Sequence, residues 1–214
     1  MRRTTTLVAV LALFVLALPQ AALATPKDKQ PIIDFATAQE VTGSFSMLDR
    51  QSDGIATKIR TQVTGGNAYT AWYVIFNNPE GCSDPCGEDD IFIDGDPNLG
   101  FNLDGINDAR ISVVWAKTGG VANPAGRLAL DGGLDVGEVP NTGPGIKVVI
   151  GHPDDGALVP SPVTGLETTA AEVHLVIQDH GPAHSDPDLL ELQTTSFMGA
   201  CNPDCVDVQF AVHK

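Results

Sequence analysis

The sequence is poor in basic residues. It contains 12 Lys and Arg residues against 27 Asp and Glu residues in a chain of 214, which gives a formal net charge of −15 at pH 7. A surface with this excess of negative charge repels the phosphates of nucleic acids and the anionic face of a membrane. Nucleic-acid binding is therefore excluded as a function class, whereas cations and basic partners are favoured.

Long hydrophobic runs are also missing. The apolar run 7–18 holds about a dozen residues, whereas a helix that spans a bilayer needs about 20. Two arginines precede this run, and Ala22 and Ala24 supply small residues at the positions that signal peptidase reads. We therefore expect residues 1–24 to be a cleaved signal peptide and residues 25–214 to form one secreted or periplasmic domain without a membrane span. A retained membrane helix is the alternative.

Motifs of the common catalytic classes are absent. The chain has no Gly-x-Ser-x-Gly elbow, no His-Glu-x-x-His helix and no phosphate-binding Gly loop. The many Asp and Glu residues leave a carbohydrate-active enzyme with a carboxylate pair as an open alternative. The sequence favours a non-catalytic binding or structural module, whose partner would be an extracellular protein, a glycan or a cation.

Helical periodicity is scarce, and the dominant period of the sequence is two. In residues 54–63, Ile55 and Ile59 lie on one face and Lys58 lies on the other, which is typical of a half-buried strand. Residues 69–76 are apolar on both faces and predict a central strand that is covered on both sides. About eight such strand candidates, separated by turn signals, predict an all-β fold, namely an antiparallel Greek-key sandwich.

The four cysteines occur as two Cys-x3-Cys pairs. Cys82 and Cys86 enclose Ser-Asp-Pro, and Cys201 and Cys205 enclose Asn-Pro-Asp. An even number of cysteines in an exported chain indicates disulfides, and a turn containing proline can bring the two Cα atoms to about 5–6 Å. We predict a disulfide within each pair. Pairing between the two motifs, which would constrain the unfolded chain more, and a zinc site of four thiolates are the alternatives.

The acidic stretch 88–108 suggests a calcium site. Asp94, Asp96 and Asn98 alternate as the first ligands of an EF-hand loop do, but the sharp-turn Gly and the bidentate Glu of that loop are missing. A calcium site of another type, formed by Asp94, Asp96, Asn98, Asp104 and backbone carbonyls, is therefore a hypothesis. The alternative is a solvated, turn-rich loop.

The histidines near the end of the chain suggest a second metal hypothesis. His180 and His184 lie beside Asp179 at the end of a predicted strand, and imidazole is a good ligand for copper and zinc. His174 lies six residues earlier on the strand, about 20 Å from His180, and we expect it to be a packing residue. A copper- or zinc-binding protein, including a redox-active one, is thus an alternative function.

The stretch from Ala171 to Ala183 resembles the CHRD domain, a secreted Greek-key β-sandwich family found in chordin and in many bacterial proteins. Its His180-Gly181-Pro182-Ala183 matches the end of that family's His-x-His-Gly-Pro-Ala stretch, and Gln178 stands at the first His position. Residues 71–82 and 206–213 are similar to exported bacterial proteins of the same sandwich type. The resemblance implies an extracellular sandwich without an agreed biochemical activity. Copper/zinc superoxide dismutase is similar in architecture only, since its His-x-His copper pair is absent.

Overall fold

The computed structural model describes residues 27–51, 53–136, 138, 143–150 and 170–214, so the predicted signal peptide lies outside the described residues. Nine strands are present in these ranges: β1 (Asp28–Asp34), β2 (Gln39–Gln51), β3 (Gly54–Gln62), β4 (Asn67–Phe76), β5 (Ile111–Val121), β6 (Arg127–Asp135), β7 (Val148–Ile150), β8 (Glu172–Pro182) and β9 (Val206–His213). The helices are α1 (Glu88–Ile91), α2 (Leu103–Ala109) and α3 (Pro187–Thr195), with 3-10 turns at Pro79–Gly81 and Ile93–Gly95. None of the described helices is long and apolar enough to cross a membrane.

Hydrogen bonds connect all nine strands into one sheet with the order β6-β3-β2-β1-β9-β8-β4-β5-β7. Every neighbouring pair is antiparallel. The predicted antiparallel β class is therefore confirmed. The predicted sandwich of two sheets and its Greek-key connectivity are not confirmed, because the described strands form a single curled sheet.

The sheet curls so that one face, the inner face, encloses the main hydrophobic core. Ile59 of β3, Ile75 of β4 and Leu175 of β8 are all fully buried in this core. The two sides of the curl come into direct contact across it, because the hydroxyls of Thr57 on β3 and Tyr73 on β4 are hydrogen-bonded. Curling lets a single sheet bury one face without a second sheet.

The central strand β4 is buried on both faces, as its sequence predicts. Its odd-numbered residues from Tyr69 to Ile75 point into the main core. Its outer face carries Val74 and Phe76, which join a second, smaller apolar cluster with residues of α1 and α2. The outer face is therefore covered by chain segments that connect the strands.

Three elements differ from the sequence-based expectation. Strand β1 was not predicted, since it is polar apart from Pro31, Ile32 and Ile33, and only Ile32 is fully buried. The acidic stretch contains the two short helices α1 and α2, whereas a turn-rich loop was one of the expectations for it. Helix α3 was not expected from a sequence with little helical periodicity, and its first turn is capped by the side chain of Asp186.

Candidate functional site

Two segments cover the outer face of the sheet. The acidic segment, residues 77–110, links β4 to β5, and the α3 segment, residues 183–205, links β8 to β9. In the register of the sheet Phe76 lies beside Glu172, at the start of β8, whereas Asn67 lies beside Pro182, at its end. The two segments therefore leave the sheet at opposite ends, and a strip of the outer face remains between them.

The first disulfide shapes the start of the acidic segment. Cys82 and Cys86 are bonded, with their Cα atoms 5.1 Å apart, as predicted. The carboxylate of Asp90, which is almost fully buried, accepts hydrogen bonds from the backbone N–H groups of Ser83 and Gly87 and from the Ser83 hydroxyl. This network fixes the loop against α1, so that Cys86 packs into the outer apolar cluster.

The second disulfide, Cys201–Cys205, shapes the end of the α3 segment, and its Cα atoms are also 5.1 Å apart. Pairing within each Cys-x3-Cys motif is thus confirmed. Residue 181 has to be a glycine here, because its φ is +80° and a Cβ would lie 1.7 Å from the Asn202 carbonyl oxygen. The backbone N–H of Asn202 also donates to the His180 carbonyl at 2.8 Å. The disulfide loop therefore lies directly against the end of β8.

His180 holds the α3 segment to the sheet. The Trp72 indole N–H donates to the Thr70 hydroxyl at 2.8 Å. That hydroxyl lies 2.8 Å from His180 Nε2, while His180 Nδ1 lies 3.0 Å from the Gly199 carbonyl and 3.2 Å from Cys205 Sγ. Since a carbonyl only accepts, Nδ1 carries the hydrogen and Nε2 accepts from Thr70. Burial lowers the pKa of His180, which keeps the ring neutral in this arrangement.

The strip between the two segments is a cavity of about 650 Å³, here called the outer cavity. Aromatic side chains from both segments, from the sheet and from the turn between β1 and β2 line it: Phe35, Trp72, Phe92, Phe101, Phe197 and Phe210. Aliphatic side chains form most of its floor and remaining walls: Val74, Ile91, Val113, Val149, Ile150, Val176 and Val212. Phe35 and Phe101 are partly exposed, which places them at the solvent-facing side of the cavity.

The few polar side chains of the outer cavity are mainly hydrogen-bond acceptors. Glu172 and His174 lie in its wall, with Glu172 Oε1 2.7 Å from His174 Nε2. The Lys214 ammonium lies 3.8 Å from the other oxygen of Glu172. Burial lowers the pKa of His174, an effect that the neighbouring Glu172 partly opposes. Glu88 and Asp207 also line the cavity.

The predicted calcium ligands do not form a cluster of carboxylates. Asp94, Asp96 and Asp104 belong to no described group in which three carboxylate, imidazole or thiol ligand atoms lie within 4.8 Å of one another. One Asp96 oxygen accepts from both the backbone and the side-chain N–H of Asn98. Asp94 has a left-handed backbone with φ 51°. The calcium hypothesis therefore stays a prediction: the Asp96 side chain stabilises its own turn, and Asp104 lies in the first turn of α2.

The predicted copper or zinc ligands make different contacts, and the hypothesis that they bind a metal stays a prediction. Both ring nitrogens of His180 contact protein groups, whereas the backbone N–H of His184 donates to Gln193 Oε1. Among the described residues, His180 comes within 4.8 Å of the sulfur atoms of Cys201 and Cys205, but these sulfurs form a disulfide. Because the thiolate is the form that ligates a metal, this group is not a metal site in its oxidised state.

The sequence contains a partial signal for the outer cavity. The apolar residues on both faces of β4 predict that its outer face is covered. They do not predict that the cover leaves a gap over Val113, Val176 and Phe210, since these come from three separate strands. The gap depends on the order of the strands and on where each connecting segment leaves the sheet.

Comparisons with known proteins identify no relative of this chain. No family model matches the chain, and neither the curated proteins nor the solved structures contain a significant match to it.

Proposed function

We propose that this chain is an exported, non-catalytic binding protein that takes up an apolar small molecule in the outer cavity. The observation that carries the proposal is the cavity of about 650 Å³, lined by aromatic and aliphatic side chains and open beside Phe35 and Phe101. Ligand sites in proteins measure about 300–1,000 Å³ and are mostly apolar, with a few polar groups that orient the ligand. The outer cavity has both properties.

The two disulfides support a binding function that depends on a preformed site. Cys86 and Phe197 lie in the cavity walls, each within a segment that a local disulfide constrains. Walls that are already ordered lose less conformational entropy when a ligand binds. The disulfides therefore favour a cavity that keeps its shape without ligand.

Export of the protein is part of the proposal. The two disulfides are typical of an oxidising compartment, and the short apolar run after two arginines is typical of a signal peptide.

We also propose a sandwich-like packing of the CHRD type, in which β6-β3-β2-β1 and β9-β8-β4-β5 act as two layers. The contact between Thr57 and Tyr73 across the core supports this arrangement.

The lining of the cavity argues for an apolar ligand over a glycan. Sugar hydroxyls require many hydrogen-bonding groups, whereas the described wall is largely aliphatic and aromatic. A calcium-stiffened acidic loop and a copper- or zinc-binding function stay as alternative predictions. Stoichiometric copper or zinc in the purified protein would favour the latter.

The test is a titration of the purified protein with N-phenyl-1-naphthylamine, a neutral apolar dye that fluoresces on leaving water. We expect saturable binding of one dye per chain. In the variant Val176→Phe a larger side chain enters the cavity from its floor, and we expect the affinity to fall at least about tenfold. Val121→Phe makes the same change at an exposed position outside the cavity lining and should bind as the wild type does. Equal affinity in both variants would contradict the proposal.

A further inference from the structure

The wall of the outer cavity contains more acidic than basic side chains, and this difference restricts the chemistry of its ligand. The carboxylates of Glu88, Glu172 and Asp207 line it, whereas Lys214 supplies the one cationic side chain in its described wall. Lys214 is already near Glu172. Among the described residues, neither Glu88 nor Asp207 forms an ion pair. Two acidic residues of the cavity wall therefore have no ion-pair partner in the part of the chain that the structure describes.

Asp207 lies in the part of the cavity where aromatic rings are close. Its oxygen Oδ1 accepts one hydrogen bond, from the Gln178 amide at 3.1 Å. Nearby along β9, Phe210 packs on Phe35 with 4.7 Å between ring centroids. Although Asp207 as a whole residue is exposed, displacement of solvent around its carboxylate raises its pKa, and the negative charge of Glu88 adds to this rise. A cation between the two carboxylates would relieve their repulsion.

His174 adds an acceptor to the wall. An ionised carboxylate has no hydrogen to donate, so His174 Nε2 carries the hydrogen of the 2.7 Å bond to Glu172. The ring is neutral, and its Nδ1 atom is then an acceptor. Nδ1 has no hydrogen-bond partner among the described residues. A ligand group with N–H donors therefore fits the wall better than a group that only accepts.

We propose that the ligand of the outer cavity is an apolar amine, a hydrocarbon or aromatic body that carries one protonated amino group. This inference rests on the proposed binding function. The apolar body lies over Val74, Val113 and Val176, and the ammonium group lies against the carboxylates of the wall. The net charge of −15 also favours the approach of a cation to the cavity over that of an anion.

The test compares three ligands with the same ten-carbon chain: decylamine, 1-decanol and decanoate. Each is titrated below its micelle concentration at pH 7 by calorimetry. We expect decylamine to bind at least about tenfold more tightly than 1-decanol, because its ammonium group can form a charge-assisted hydrogen bond with a carboxylate of the wall. Decanoate should bind most weakly. If 1-decanol or decanoate binds as tightly as decylamine, the amine inference is wrong and the binding function stands. If none of the three binds, the binding function itself is wrong.

Variants locate the ammonium group. Asp207→Asn keeps the size of the side chain and removes its charge, so we expect decylamine affinity to fall about fivefold or more while 1-decanol affinity is unchanged. Retained 1-decanol binding also shows that the variant is folded. Asp131→Asn removes a carboxylate on β6 that pairs with Arg60 outside the cavity, and it should change neither affinity. An equal effect of the two variants on decylamine would overturn the assignment of the ammonium to Asp207. Should the Asp207 variant not fold, the order of the three ligands on the wild-type protein decides the matter.

Discussion

The hydrogen bond between Thr57 and Tyr73 tests whether the sheet closes on itself. Tyr73 is fully buried and Thr57 is 4% exposed, and their hydroxyl oxygens lie 2.5 Å apart, from β3 to β4 across the core. Removal of one hydroxyl, in Thr57→Val or Tyr73→Phe, leaves the other buried without a partner. Each single variant should therefore lose about 1–3 kcal/mol of unfolding free energy.

The double variant removes both hydroxyls and leaves no unsatisfied group, so its loss should be smaller than the sum of the two single losses by about 1 kcal/mol or more. Urea unfolding followed by far-ultraviolet circular dichroism measures all four proteins. Tyr69 provides a control, because its hydroxyl bonds to Thr64 and Asp179 instead. Thr57→Val and Tyr69→Phe should be additive. Additivity of the Thr57 and Tyr73 changes, within about 0.5 kcal/mol, would refute the contact across the core.

Two further predictions concern stability. The pKa of His213 is lowered by burial, although Asp28 opposes this, so the unfolded chain binds the proton more readily below about pH 6.5. Stability contributed by neutral His213 is present above that pH and should fall, by up to about 1.4 kcal/mol per pH unit, as the pH drops below it. Urea unfolding between pH 7 and pH 5 measures the slope, and a flat profile contradicts the buried neutral ring. Replacement of Cys201 and Cys205 by serine should cost about 2 kcal/mol through loss of the short loop constraint, and it should also weaken dye binding, because the α3 segment carries Phe197. Unchanged binding in a folded variant would show that this disulfide does not order the cavity wall.

Local chemistry made part of this structure predictable from the sequence. The alternation of apolar and polar residues in β3 and the continuous apolar run in β4 reflect how each strand is buried. Such a pattern can be recognised from the residues of the strand alone. The local disulfides were favoured because both Cys-x3-Cys motifs contain a proline turn. In contrast, the single curled sheet depends on which distant strands become neighbours. Strand pattern alone does not distinguish it from two stacked sheets.

The candidate site was harder to predict, because the residue types that commonly bind ligands or metals lie mostly elsewhere in the sequence. Acidic and histidine residues suggested metals, but His180 uses both ring nitrogens within the protein. The outer cavity is built mainly from ordinary apolar residues such as Val113 and Val176, each of which looks like a core residue in the sequence. They line a cavity only because the acidic segment and the α3 segment cover opposite ends of one face.

The central claim is that a ligand occupies the outer face of the sheet between these two segments. Methyl nuclear magnetic resonance of the protein with 1-decanol tests it directly, because neighbouring residues of one strand point to opposite faces. We predict large shifts for the methyl groups of Val74 and Val176, which line the cavity, and small ones for Ile75 and Leu175, which lie in the main core. Shifts in all four, in Ile75 and Leu175 alone, or in none would contradict the account.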